Sequence, residues 1–304
     1  MLPNSDAAMS DTLSILIPVY NCSALALVQS LVRQAGLRRL RAWEIVVADD
    51  ASTDARTIAD NQSVGTLPYC RYVRLPHNVG RAAIRNYLAR TATYTRLLFI
   101  DGDMSVVSAH FIDDYLDYEV PVIYGGYTIV GHHPHNLRYH YEQAAALHHQ
   151  AHCRVIHPYL DFHTSNYAIF RDIALRHPID ESYQGYGYED VAYGAQLQRA
   201  GIVISHINNP VGFYDFESNE AFLAKTEESL RTLMLHADQL ANHSRMLAAR
   251  HRLCRLGLHL PLRWVYRLMG SRWRAHLVNH PWLWSFKLYK LAFFLSLSAP
   301  KVKG

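Results

Sequence analysis

The stretch that most limits what this chain can fold into is residues 96–104, RLLFIDGDM. Residues 97–100 are apolar without a break, the pattern of a strand covered on both faces. Such a strand belongs in a parallel sheet flanked by helices. The run stops at Asp101-Gly102-Asp103. Gly102 lets the backbone leave strand geometry, so two carboxylates can converge at the strand's carboxyl end, where open α/β sheets hold ligands. Two hard oxygen donors suit a divalent cation that keeps coordination sites for phosphate oxygens. A plain Asp-Gly turn with solvated carboxylates would use the same residues, so the rest of the chain has to decide.

Taken in order, the chain repeats the pattern. Residues 13–19 (LSILIPV) read as the first strand, with Pro18 at its end, where no ladder donor is needed. Ser23 opens a helix that Gly36 closes. Residues 44–48 form a second strand ending in Asp49-Asp50, and Ser52 or Thr53 caps the helix after it. Residues 71–75 form a third strand. A turn at 77–80 leads into a helix with Arg81 and Arg85 on one face. This β-α-β-α-β-α-β order predicts an α/β fold with a mostly parallel central sheet covered by helices.

The second half predicts a helix over 108–118 and a strand over 122–130 interrupted by Gly125-Gly126. A strand at 162–170 carries polar Thr164, Ser165 and Asn166 in its middle, which could line a pocket. A Gly/Tyr loop ends in Glu189-Asp190 and opens a helix closed by Gly201. A strand at 202–207 and a long helix at 220–240 follow. Seven of the 19 histidines lie in 132–152 without tight metal spacing, so they read as surface or packing residues.

Tyr20, Asp50, Arg81, Arg85, Asp101 and Asp103 all follow a strand or start the helix after one, so a parallel sheet would place them on one rim. An aromatic ring can stack on a base, a carboxylate can accept a base N–H, and arginines can hold phosphate. Together they outline a nucleoside-diphosphate site. No Walker A or GxGxxG sequence is present.

The segments SILIPVYN, EIVVADDASTD, HNVGRAAIRN, LLFIDGDM and GYGYEDVAYGAQLQRAG, in this order and spacing over about residues 13–240, resemble the family 2 glycosyltransferases of the GT-A fold. The resemblance implies an inverting enzyme that moves a sugar from a nucleotide sugar, most commonly UDP-linked, to an acceptor hydroxyl. It implies donor contacts at Pro18, Tyr20, Asp50, Arg81, Arg85, Asp101 and Gly102. It places a divalent metal, Mn²⁺ or Mg²⁺, on Asp103 and Asp101. It gives Glu189-Asp190 the acceptor and the catalytic base, usually the second residue. Relatives often carry a metal-binding His near the position of Phe213, so either His206 substitutes or the site has fewer protein ligands. The acceptor is expected to be a saccharide or lipid-linked saccharide, in cell-surface polysaccharide or glycolipid synthesis. The competing readings are a non-catalytic transferase-like binding module and a sugar nucleotidyltransferase. The latter needs a Gly-rich, basic segment after the first strand, which PVYNCSA lacks.

Charge divides the chain. Residues 239–304 hold twelve Lys/Arg and no Asp or Glu, leaving eighteen Lys/Arg against twenty-six Asp/Glu before them. The sequence therefore reads as a catalytic domain, 1–240, and a basic, aromatic, helical extension, 241–304. From Leu258 onward, Arg/Lys mixed with Trp/Phe/Leu suits a helix lying in a membrane interface, attached peripherally to an anionic surface rather than to nucleic acid; the most apolar part, 282–298, is at the short limit for spanning and carries Lys287 and Lys290. The alternative is that these helices pack on the acidic body. Cys22, Cys70, Cys153 and Cys254 are scattered, and no secretory leader is evident, so the expected location is cytoplasmic, peripheral on the inner face of the plasma membrane.

Overall fold

The computed structural model describes residues 12–37 and 40–298. The first half runs β1 (Thr12–Val19), α1 (Leu25–Gly36), β2 (Ala42–Asp49), α2 (Ala55–Gln62), β3 (Cys70–Arg74), α3 (Arg81–Thr91) and β4 (Arg96–Ile100). It continues through β5 (Met104–Val106), α4 (Asp113–Leu116), β6 (Val122–Tyr124), β7 (Tyr127–Ile129), α5 (Leu137–Ala145) and α6 (Ala151–Arg154). Then come β8 (Asn166–Phe170), α7 (Arg171–Arg176), α8 (Glu189–Arg199), β9 (Ile204–His206), β10 (Val211–Phe213) and α9 (Asn219–Leu235). Three helices follow: α10 (Arg245–Arg255), α11 (His259–Asn279) and α12 (Leu283–Ser296).

The main sheet has the order β3-β2-β1-β4-β8-β6-β9, and a small sheet has the order β5-β10-β7. β3, β2, β1 and β4 are parallel, while β8 runs antiparallel to β4 and β6. Alternate side chains explain the burial. Ile15, Ile17, Leu98 and Ile100 pack with Val28 and Leu31 of α1 on one face. Leu16, Leu97 and Phe99 pack with Ile84 and Leu88 of α3 on the other. Each such side chain contributes about 1.5–3 kcal/mol through burial, which is why Leu97–Ile100 of β4 are apolar without a break; buried Arg96, at its start, is satisfied by the Val120 and Tyr118 carbonyls.

Several local expectations change. The 108–118 pattern yields only the single turn α4, although Phe111, Ile112 and Tyr115 are buried as a helical face would bury them. The 122–130 run is two strands in two sheets, with the chain leaving the main sheet at Gly125-Gly126. Asp54, not Ser52 or Thr53, caps α2 by accepting from the Thr57 amide. Ser52 instead accepts the Asn21 amide at 2.8 Å, tying the ends of β1 and β2 together. α1 starts at Leu25 without a side-chain cap.

The extension packs on the body along one side. The most apolar part of the stretch expected at a membrane interface forms α12, and Phe286, Tyr289, Phe293 and Phe294 on it are buried. They pack against Leu223, Leu230 and Leu233 of α9 and Leu137 of α5. Polar contacts hold the same joint: Arg274 pairs with Glu227 at 3.1 Å, and Tyr289 donates to Glu227 at 2.7 Å. Among the described residues, no helix is long and apolar enough to cross a membrane.

Candidate active site

The carboxyl ends of β2, β1 and β4 lie side by side, so Asp50, Tyr20 and Asp101 share one rim. Tyr20 is half exposed there. Pro18 lies beyond the stretch of β1 that pairs with β4, so its missing N–H breaks no bond to that strand. Asp50 is buried, and its two oxygens accept the amides of Val79 (2.7 Å) and Gly80 (3.0 Å). It thereby fixes the turn that launches α3. Neither Tyr20 nor Asp50 lines the main cleft.

Gly102 is required for a different reason than the sequence suggested. Its φ is not among the positive ones. A Cβ there would meet Val19 Cγ1 at 2.5 Å and the Pro18 carbonyl at 3.2 Å. Only glycine lets the turn pack against the end of β1. The two carboxylates beside it part company. Asp101 is held by Arg85, which is buried, and by Arg81 at 3.7 Å. Arg85 is therefore spent on Asp101 and its own helix, with Nη1 on the Arg81 carbonyl at 2.9 Å, and is not a free phosphate ligand. Asp103 has no such ion pair among the described residues, and burial together with the charge of Asp101 pushes its carboxyl above the ordinary range. Asp215, after β10, adds to the same negative field: burial, Asp103, Asp101 and Asp215 push the Cys22 thiol up to about 12.

Asp101 and Asp103 open into a cavity of about 380 Å³ together with Glu189 and Asp190. The loop before α8 delivers the latter pair. Gly187 takes φ +89, and a Cβ on it would lie 2.8 Å from Ser229 Cβ, so the loop can press on α9 only with glycine there. The Tyr186 amide donates to Glu228 at 2.9 Å. Tyr188 is left-handed, and no side chain caps α8. Glu189 is buried with one oxygen on Arg81 Nε at 3.2 Å and the other unpartnered. Burial and Asp190 raise its pKa against the pull of Arg81. Asp190 receives the Val191 amide at 2.7 Å on one oxygen and His163 Nδ1 at 2.6 Å on the other. Burial would raise its pKa, but the hydrogen bond and charge of His163 hold it below the ordinary range. Burial in turn would lower that of His163, and Asp190 raises it.

His163 was not singled out by sequence reasoning. The antiparallel register of β8 on β4 puts Asn166 opposite Ile100, so the residues before Asn166 run alongside Asp101. The Asp101 amide donates to the Ser165 carbonyl at 3.0 Å. Thr164 and Ser165 line the cleft as expected. Asn166 does not: it is fully buried, bonded to Tyr115, Gly126 and Asn209. His206 is also elsewhere. It sits in β9 at the sheet edge, with Nε2 on the Pro158 carbonyl at 2.9 Å and Nδ1 facing Arg154, and burial drives its pKa down to about 4. It does not line the cleft, so it is no partner for the Asp-Gly-Asp acids. Phe213 does, lying under Arg138 at 4.1 Å. The far wall comes from helices that carry no sequence motif: Lys225 on α9 and Phe286 and Lys290 on α12.

Residues 14–172 match the family model described as Glycosyl transferase family 2. Among solved structures the chain is similar to the mannosyltransferase PcManGT from Pyrobaculum calidifontis, determined in complex with GDP-Man and Mn²⁺, at 15% identity and TM-score 0.60, over 93% of this chain and 85% of that one. It is also similar to TarS 1-349 from S. aureus, at 14% identity and TM-score 0.52, over 93% of this chain and 89% of that one. At such identities the likeness speaks for the fold, which is that of the GT-A transferases. Among curated proteins, no sequence matches.

Proposed function

The chain belongs to glycosyl transferase family 2, and from that premise we propose that it transfers a sugar, with inversion, from a nucleoside-diphosphate donor to a hydroxyl of a saccharide or lipid-linked saccharide. The observation that carries this reading is one cleft holding two acid pairs with different partners. At Asp101-Gly102-Asp103 a half-buried carboxyl has no ion pair among the described residues; at Glu189-Asp190 a carboxylate is bonded to His163.

The donor side follows from the rim. Tyr20 offers a ring for the base. Asp50 keeps lone pairs free beyond those used by Val79 and Gly80, because a carboxylate has about four acceptor positions. Arg81, anchored between Asp101 and Glu189, stands where the diphosphate would reach the cleft. The acids fit a divalent cation, since Mg²⁺ and Mn²⁺ are commonly held by one or two carboxylates with the remaining sites on water and phosphate. Asp103, with Asp101 beside it, would hold Mn²⁺ or Mg²⁺, which when bound neutralises charge developing on the departing diphosphate.

Asp190 supplies the other half. An acceptor hydroxyl is a poor nucleophile near neutral pH, so a positioned base must take its proton as the new bond forms. The Asp190 carboxylate is ionised and oriented by Val191 and His163. Glu189, tied to Arg81, shapes the wall beside it. One base and a direct displacement invert the anomeric carbon. Tyr186 and Phe213, with Thr164 and Ser165, would face the sugars. A UDP-sugar is the first expectation for the donor, and the neighbour solved with GDP-Man makes a GDP-sugar the second. The scattered thiols, none of them in a disulfide among the described residues, suit a cytoplasmic site of action, and the product would enter cell-surface polysaccharide or glycolipid synthesis.

The test is a panel of UDP-, GDP- and dTDP-sugars, with and without Mn²⁺, followed by nucleoside-diphosphate release. At least one donor should be cleaved in a metal-dependent way that Asp103→Ala removes. Cleavage of none, or cleavage indifferent to both metal and Asp103, would overturn the proposal.

A further inference from the structure

α11 has two unlike sides. Tyr266, Gly270, Trp273 and Leu277 face inward: Gly270 and Leu277 are buried, Tyr266 lies 5.8 Å from Tyr289, and Trp273 donates to Ser285 at 2.8 Å. On the opposite side Leu260, Trp264, Leu268 and Arg272 follow at four-residue steps, one stripe of a helix. Trp264 is 65% exposed and Leu268 59%. At the turn into α12, Trp282 and Trp284 stack at 6.4 Å and are 52% and 68% exposed. Lys287 and Leu288 stand on the outer side of α12, whose inner side is core. Exposed tryptophans and leucines grouped along one helix stripe, unlike singly scattered ones, mark a contact site.

Charge identifies the partner. No acid occurs between residues 239 and 298. Arg245 pairs with Asp161, and Arg274 with Glu220 and Glu227, across the joint with the body. Arg252, Arg255, Arg263, Arg267, Arg272 and Lys287 pair with no carboxylate among the described residues. A second copy of this chain docking through the same face would oppose these cations with the same cations. An uncharged apolar partner would leave them without counter-charge.

We propose that the outer side of α10–α12 docks on an anionic lipid bilayer. Indole rings lodge at the headgroup level, leucines enter the acyl boundary, and arginines bind lipid phosphates as forks. α12 then serves two surfaces, lining the cleft with Phe286 and Lys290 and meeting the bilayer with Trp284 and Lys287.

The experiment is co-sedimentation of the full chain with phosphatidylglycerol-containing or pure phosphatidylcholine vesicles, without substrate. Binding should be seen with the anionic vesicles at low salt and be released by salt. At about 1 kcal/mol per basic residue, Arg267→Gln with Arg272→Gln should lower partitioning roughly thirtyfold. Trp264→Ala with Trp284→Ala should lower it by about an order of magnitude. Both double variants should keep the wild-type melting temperature, because all four side chains are exposed. The proposal is overturned if the full chain ignores anionic vesicles at low salt, or if neither double variant weakens binding. A concentration-dependent dimer that Trp264→Ala dissolves would also overturn it, by making a second copy the occupant.

Discussion

The end of β4 and the start of α8 bring the same chemistry into one cleft by opposite means. Each presents two carboxylates. Each ties one of them to an arginine, Asp101 to Arg85 and Glu189 to Arg81. The second member differs. Asp103 is left beside Asp101 without an ion pair among the described residues, and its proton affinity rises. Asp190 meets His163, and its proton affinity falls. A carboxylate's proton affinity is thus set by what faces it: burial and a like charge raise it at Asp103, and a histidine lowers it at Asp190.

The sharpest way to break this comparison is to remove Asp103. Asp103→Ala should abolish metal-dependent nucleoside-diphosphate release and Mn²⁺ binding by calorimetry, while the fold survives. Unchanged Mn²⁺ affinity would dissolve the difference between the two pairs. Asp190→Asn should behave otherwise. Donor and Mn²⁺ binding stay near wild type, and turnover falls by about two to four orders of magnitude, the usual scale for losing a general base. If Asp190→Asn instead loses the metal, or keeps its turnover, the base lies elsewhere, with Glu189 the first alternative.

The tethered members make a smaller prediction, about stability. Arg85 is buried against Asp101, so Arg85→Met leaves a poorly compensated carboxylate. Urea unfolding should show a loss of roughly 3 kcal/mol, the low end for removing one partner of a buried pair, because Arg81 remains at 3.7 Å. Arg81→Met, at a side chain 42% exposed, should cost under about 1 kcal/mol. Equal costs would mean that Arg85 is not the anchor.

The two regions were unequally legible. β1, β2 and β4 are apolar runs because they are buried on both faces, and their termini gave Asp50, Asp101 and Asp103 by position alone. Pairs that depend on sheet order were hidden. His163 reaches Asp190 only because β8 enters antiparallel beside β4, which no local pattern announces. A histidine just before a polar strand start was the one available signal. His206 looked eligible by its place in the chain, yet β9 is the outermost strand of the sheet. In the extension, amphipathy showed that α12 has an apolar side but not what covers it, and protein covers it. Arg85 looked like a phosphate ligand because helix spacing gives the face a residue lies on, not the acid waiting there.

The finest difference between the pairs is a matter of pH. Asp190 and, more distantly, Glu142 and Asp161 raise the His163 pKa, outweighing the burial that lowers it, so the imidazole titrates above its ordinary 6.5. Below that point an imidazolium sits on Asp190 Oδ2 and competes with the incoming proton for the carboxylate. Above it the imidazole is neutral and Asp190 is the stronger base. kcat/KM, which reports the free enzyme, should therefore fall as pH drops through the His163 pKa. His163→Gln keeps a donor for Asp190 but cannot ionise. The acid limb should then move down toward the titration of Asp190 itself, while the rate on the alkaline side stays within about tenfold of wild type. A merely structural histidine would lower the rate at every pH and leave the limb where it was. That outcome would return the control of Asp190 to burial and the Val191 amide alone.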